Sequence, residues 1–155
     1  MAGPYIRKAR MQDVKAIHKL LMECSGQGLL LPRPLNQLYG HLREFFVVDP
    51  DDGSPIVGCC GLAIAWDNLA EVRSLAVDER MRGAGFGRKL VDACLSEAVT
   101  LGIYKVFTLT YQDNFFRKMG FVEVTKDTLP QKVWADCINC PKFPECDEIA
   151  MQIEL

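Results

Sequence analysis

Two rhythms of apolar residues run through this chain. Val14, Ile17, Leu20, Leu21 and Cys24 recur at spacings of three and four, the mark of one helical face, with Asp13 at the point where such a helix starts. Ser25, Gly26, Gln27 and Gly28 stop it. Leu35, Leu38, Tyr39 and Leu42 give a second, short helix. Extended runs are expected at 5–9, 45–49, 56–66 and from Ala70 to Val77. They are separated by the turn Pro50-Asp51-Asp52-Gly53-Ser54-Pro55 and by Asp67-Asn68. A third helical pattern opens with Leu90, Val91, Cys94 and Leu95, runs to about Leu101 and ends at Gly102. Further strands are expected at 104–110, 121–125 and 148–155, and a short helix at 114–119 closed by Gly120. The early strands are joined by turns too short for a crossover, so they pair antiparallel. A whole helix separates 72–77 from 104–110, so those two are parallel with a right-handed crossover. The expected class is α+β: a mixed, mostly antiparallel sheet of six to seven strands with helices on both faces.

Length and charge narrow the use of such a fold. The 155 residues suit one domain with a single core, 1–155. A net charge of −2 gives no overall attraction for nucleic acid or an anionic membrane. The longest apolar run, 56–66, is too short to span a bilayer, and no signal-peptide pattern opens the chain. A cytoplasmic location is therefore expected. Of seven cysteines, Cys24, Cys59, Cys60 and Cys94 are scattered, three of them in apolar patterns; they are read as reduced, buried, small hydrophobes.

The chemistry concentrates after the 72–77 strand. Arg82-Gly83-Ala84-Gly85-Phe86-Gly87-Arg88 joins that strand to a helix. Glycine lets the backbone approach a ligand, and the first amides of a helix have no internal partner, so this turn suits a phosphate. The dinucleotide fingerprint fails on spacing and lacks its acidic residue about 20 positions on. The mononucleotide loop fails too, because no Gly-Lys-Ser/Thr follows.

What remains, R-M-R-G-A-G-F-G-R-K-L, resembles the acetyl-CoA motif Arg/Gln-x-x-Gly-x-Gly/Ala of the GNAT superfamily of N-acetyltransferases. N-F-F-R-K-M-G-F at 114–121 resembles that family's second motif, in the right order and at the right distance. The resemblance implies a GNAT fold and acetyl-CoA as co-substrate. Backbone amides of Arg82, Gly83, Ala84, Gly85, Phe86, Gly87 and Arg88 would hold the pyrophosphate. Leu75, Ala76 and Val77 would pair with the pantetheine arm. Asn114 and Phe116 would flank the thioester, and Arg117 would reach the nucleotide phosphates.

A narrower resemblance, to single-domain N-acetylglutamate synthases, rests on G-L-L-L-P-R-P-L-N-Q-L-Y-G-H-L-R-E-F-F-V-V at 28–48, on A-E-V-R-S-L-A-V, and on Leu129-Pro130 with Lys132. It implies an amino-acid acceptor, glutamate first, in arginine biosynthesis. Another small amine, a protein N-terminus or a non-catalytic acyl-CoA-binding module stay open as alternatives. The segment before the last strand, Glu145-Cys146-Asp147-Glu148, departs from that pattern, which carries basic and serine residues there.

Arg33, fixed between two prolines, is the candidate fork for the acceptor carboxylate, with Arg73 and Lys132 as weaker candidates. Glu71 is the candidate base that frees the amine lone pair; it shares a strand face with Arg73, about 7 Å along, and so has a neutralising partner at hand. Ser74 would order the water through which Glu71 acts, or contact the substrate. Many members of the family carry a tyrosine acid where this chain has Phe116, so Tyr111 is the substitute candidate, with solvent as the alternative. Transfer is expected to be direct, in a ternary complex, with no covalent cysteine. Cys137, Cys140 and Cys146 form C-x2-C-x5-C, open to a structural zinc, a disulfide or free thiols. A homodimer is a fold-level expectation only.

Overall fold

The computed structural model describes residues 3–26, 33–129 and 148–155. Its elements follow in chain order as β1 (Tyr5–Lys8), α1 (Val14–Gly26), α2 (Leu35–Gly40), β2 (Phe45–Asp49), β3 (Gly58–Trp66), β4 (Leu69–Val77), α3 (Phe86–Thr100), β5 (Lys105–Thr110), α4 (Asp113–Lys118), β6 (Val122–Glu123) and β7 (Ile149–Glu154). One sheet of seven strands carries them, in the order β1-β2-β3-β4-β5-β7-β6. Only β4 and β5 run parallel; every other pair is antiparallel, as the connection lengths predict.

Strand alternation sends side chains to two faces. Val48, Cys60, Leu62, Ala70, Val72, Val106 and Met151 pack under α3 and α4, against Leu90, Val91, Cys94 and Phe116. On the opposite face Phe45, Val47, Cys59 and Ala76 pack against Val14, Ile17, Leu21 and Cys24 of α1 and Leu38 of α2. Helices therefore cover both faces. Two details depart from the periodicity. The 121–125 run contracts to the two residues of β6, and β7 inserts between β5 and β6. Gly120 explains part of this. It takes φ 100°, a left-handed turn open to glycine. There the Phe121 amide donates to the Phe116 carbonyl (3.1 Å) and the Gly120 amide to that of Arg117 (3.1 Å). This is a Schellman cap, completed by the Phe116 and Phe121 rings edge to face at 5.1 Å. Met-Gly-Phe thus ends α4 and buries Phe121 before a strand has length to form.

One charged cluster ties β1, α1 and β2 together. The Arg7 guanidinium donates to Asp13 (2.7 and 3.1 Å) and to Asp49 (2.9 Å), and the Arg10 amide donates to Asp13 (2.7 Å). Asp13 is 5% exposed. Burial works against its charge, yet Arg7 and the Arg10 amide hold its carboxyl below the usual carboxylate range. Arg7 does the same for Asp49. A carboxylate depressed in the folded state adds stability that is present above its unfolded value and is lost as pH falls through the folded one. Melting temperature should therefore fall as pH drops below about 4. Arg7→Met leaves buried Asp13 without its cation and should remove roughly 3 kcal/mol at pH 7, less at pH 3, read by thermal melts at both.

Candidate active site

The site is built on β4. Along one edge it pairs with β3 over most of its length. Along the other it pairs with β5 only at Ala70↔Val106 and Glu71↔Phe107. Beyond Glu71 the two parallel strands part and leave a cleft. At that level β4 also carries a bulge: Gly61 faces Arg73 and Cys59 faces Ala76, so one extra residue lies on β4. Ser74 absorbs it with φ 57°, a left-handed conformation uncommon for a side-chain-bearing residue. The extra residue reverses the alternation. Val72 points under α3 before the bulge, whereas Leu75 and Val77 do so after it and Ala76 turns to the α1 face. Leu75, Ala76 and Val77 thus form a wall of the cleft along which β5 makes no ladder.

At the cleft's mouth the chain turns into α3. Asp78 accepts from the Arg80 amide (3.0 Å) and starts a 3₁₀ turn, Glu79–Met81. Gly85, at φ 84°, sits at the N-cap of α3. A Cβ there meets no atom, so the requirement for glycine is conformational. Phe86 is buried and fixes the direction of the helix. The α3 first-turn amides have no partner within the helix and face the turn with the positive end of its dipole. Arg88 and Lys89 are exposed beside it, and Lys89 lies 5.3 Å over the Phe86 ring. Arg82 turns its guanidinium back: it donates to the Val77 carbonyl (3.1 Å) and to Cys24 Sγ (3.6 Å), pinning the turn to α1.

A charged cluster lies on the α1–α2 face of β4. Arg33 reaches across 41 residues to donate to Ser74 Oγ (3.2 Å), with its guanidinium 5.9 Å from the centre of the Phe45 ring. Arg73 donates to Glu44 (3.0 Å) and lies 3.7 Å from Glu71; His41 Nδ1 is 3.0 Å from the other Glu44 oxygen. Arg33, Glu71, Arg73 and Ser74, far apart in part in the sequence, therefore meet at the bulge. Arg73 is engaged by two carboxylates, which answers its charge within the protein. Glu44 is the member the sequence did not mark: it stands in the 3₁₀ turn Leu42–Glu44, and no motif or periodicity singles it out.

The remaining sequence candidates fall as follows. Tyr111 follows the end of β5 and is half-buried. Asn114 is exposed in the first turn of α4. The ring of Phe116, expected beside the thioester, is instead in the core and 3% exposed, because α4 turns it inward. Its neighbour Phe115 lies over the glycine turn, where a Cβ on Gly87 would meet the ring at 3.5 Å. Arg117 is held by Asp113 (3.2 Å) and Glu123 (2.8 Å) rather than reaching for a phosphate. Cys24, Cys59, Cys60 and Cys94 are buried free thiols. Contact with Cys94 and burial push the Cys60 thiol up, and burial does the same to Cys24 and Cys59, which keeps them protonated and poor nucleophiles. Lys132, Cys137, Cys140 and Cys146 lie outside the described residues. Among the described residues no group of histidine, cysteine and carboxylate side chains has the arrangement of a metal site, and no helix is long and apolar enough to cross a membrane.

Known proteins share this arrangement. Residues 14–121 match the acetyltransferase (GNAT) family model. The chain is 42% identical to an uncharacterized N-acetyltransferase of Chlorobaculum tepidum over 150 residues, 97% of this chain and 96% of that one. It is 40% identical over 122 residues to an amino-acid acetyltransferase of Mycobacterium tuberculosis, covering 78% of this chain and 70% of that one. Its fold superposes with a TM-score of 0.85 on N-acetylglutamate synthase of Neisseria gonorrhoeae, solved with coenzyme A and N-acetyl-glutamate, at 25% identity. That match takes in all of this chain and 36% of the Neisseria chain. The chain belongs to the GNAT family as an acetyl-CoA-dependent N-acetyltransferase.

Proposed function

We propose that the acyl acceptor is the α-amino group of an amino acid, L-glutamate before others, and that the reaction serves arginine biosynthesis in the cytoplasm. The observation that carries this reading is Arg33 bonded to Ser74 at the β4 bulge, on the strand that also carries Glu71 three residues earlier. A planar guanidinium suits a carboxylate, and a carboxylate at the closed end of the cleft suits an ammonium that must lose its proton. The relatives named amino-acid acetyltransferase and N-acetylglutamate synthase support the same class.

Acetyl-CoA supplies the activated acetyl group, and the chain's residues do the rest. Amides of the turn from Arg82 to Arg88 hold the pyrophosphate. The unladdered edge of Leu75, Ala76 and Val77 pairs with the pantetheine arm. Glu71 takes a proton from the acceptor ammonium, through water. The neutral nitrogen then bonds to the thioester carbon, the C–S bond breaks, and the nitrogen gives up its second proton to water to leave the neutral amide. The thiolate leaves with a proton from solvent or from Tyr111.

Release of CoA thiol, measured across the common amino acids and a set of amines, tests the reading. Glutamate should give the highest kcat/KM; turnover with a polyamine or a peptide N-terminus alone would overturn it. Arg33→Ala should raise the acceptor KM about tenfold or more, with the acetyl-CoA KM within about twofold. Glu71→Gln should lower kcat by roughly 100-fold. Gly87→Ala, at an ordinary helical position, should leave the melting temperature unchanged or raised while weakening CoA binding in calorimetry, because the methyl narrows the gap beneath Phe115.

A further inference from the structure

We infer that Thr108 is a positioning residue for acetyl-CoA: its buried hydroxyl sets the point at which β4 and β5 part, and so the width of the cleft.

The ladder between these strands ends at Glu71↔Phe107. The next residues in line are Val72 and Thr108. Thr108 stands opposite Met151 in the antiparallel pair of β5 with β7, so its main chain is fixed from that side. Toward β4 it presents its side chain: Thr108 Oγ1 donates to the Val72 carbonyl at 2.8 Å. Thr108 is 3% exposed and Val72 is fully buried, so water does not compete for this bond. Laddered strands lie roughly 4.8 Å apart. A hydroxyl standing on a Cβ satisfies a carbonyl at a greater separation than a backbone amide does. The hydroxyl thus meets the need of the Val72 carbonyl while holding β4 off β5, where an amide would draw the strands together.

Two consequences meet at the site. Glu71 is the last laddered residue, one position before this strut, so its distance from the β5 bank is fixed. Leu75, Ala76 and Val77 begin three residues after it, so the lie of that edge follows from the same bond. The bulge at Ser74 lies further along β4 than Val72, past the point where the ladder with β5 has already ended. The strut is therefore a separate device. Removing the hydroxyl leaves a buried carbonyl without its donor and lets β4 settle toward β5, narrowing the channel. The inference rests on the pantetheine arm lying in this cleft.

Thr108→Val, which keeps the shape without the donor, and Thr108→Ser, which keeps the donor but loses a buried methyl, separate the strut from packing. Thr108→Val should raise the CoA Kd by calorimetry, and the acetyl-CoA KM, about tenfold, with the acceptor KM within about twofold. Thr108→Ser should bind CoA within about twofold of the wild type although it melts lower. CoA binding by Thr108→Val equal to the wild type, or affinity lost equally in Thr108→Ser, would overturn the inference. Should Thr108→Val fail to fold, Thr108→Cys, with a longer and weaker donor, is read the same way, and wild-type affinity in it overturns the strut. A wild-type protein that fails to bind CoA overturns the cofactor reading beneath, and the strut with it.

Discussion

A strand in the middle of a sheet has two edges, and both normally hydrogen-bond to neighbours. β4 is the exception on which this molecule depends. Its β3 edge is laddered to the end, while its β5 edge is laddered for two residues and then open. An open edge inside a sheet is a cost unless something uses it. Here the cost is limited by local devices: a threonine hydroxyl answers the first carbonyl past the ladder, and the bulge redirects the chain behind it. What is left is an extended backbone wall of the right form for an amide-bearing arm. It ends at a helix N-terminus of the right polarity for the phosphates that follow.

The α1–α2 face of β4 shows a second constraint. Four charged side chains, Glu44, Arg73, Glu71 and Arg33, crowd the face of β4 next to α2. Their formal charges sum to zero. Arg73 is bracketed by carboxylates, which limits the desolvation cost of keeping charges here. It also orients Glu71 from one side, so the candidate base does not depend on a single rotamer. His41, on Glu44, extends this chain of contacts to the exposed end of α2.

Much of this was legible in the sequence because it is local. The helical faces of α1 and α3, the turns flanking β3, and the strand–glycine–helix unit depend on residues within a few positions of one another, and each came out as the periodicity predicts. The second motif's Gly-Phe has a local cause as well, the cap that closes α4. Three kinds of feature were out of reach. Sheet order past β5 depends on which strand docks where, and no spacing encodes the insertion of β7. The role of Glu44 depends on a partner 29 residues away, and that of Thr108 on one 36 residues away. Phe115 and Phe116 are chemically alike neighbours, and only the rotation of α4 decides which ring meets the core and which meets Gly87. Arg33 was legible through its prolines, but its bond to Ser74, 41 residues away, was not.

The insertion of β7 has a bearing on how the molecule comes together. β2, β3 and β4 close through neighbours in sequence at small entropic cost, whereas β1 reaches β2 only across α1 and α2. β5 is different. Its outer edge is completed by residues 149–154, which begin 39 positions after β5 ends, and β6 in turn docks only on β7. The β5 side of the cleft therefore takes its outer support from a segment remote in sequence, whereas β4 takes its support from β3, the strand just before it.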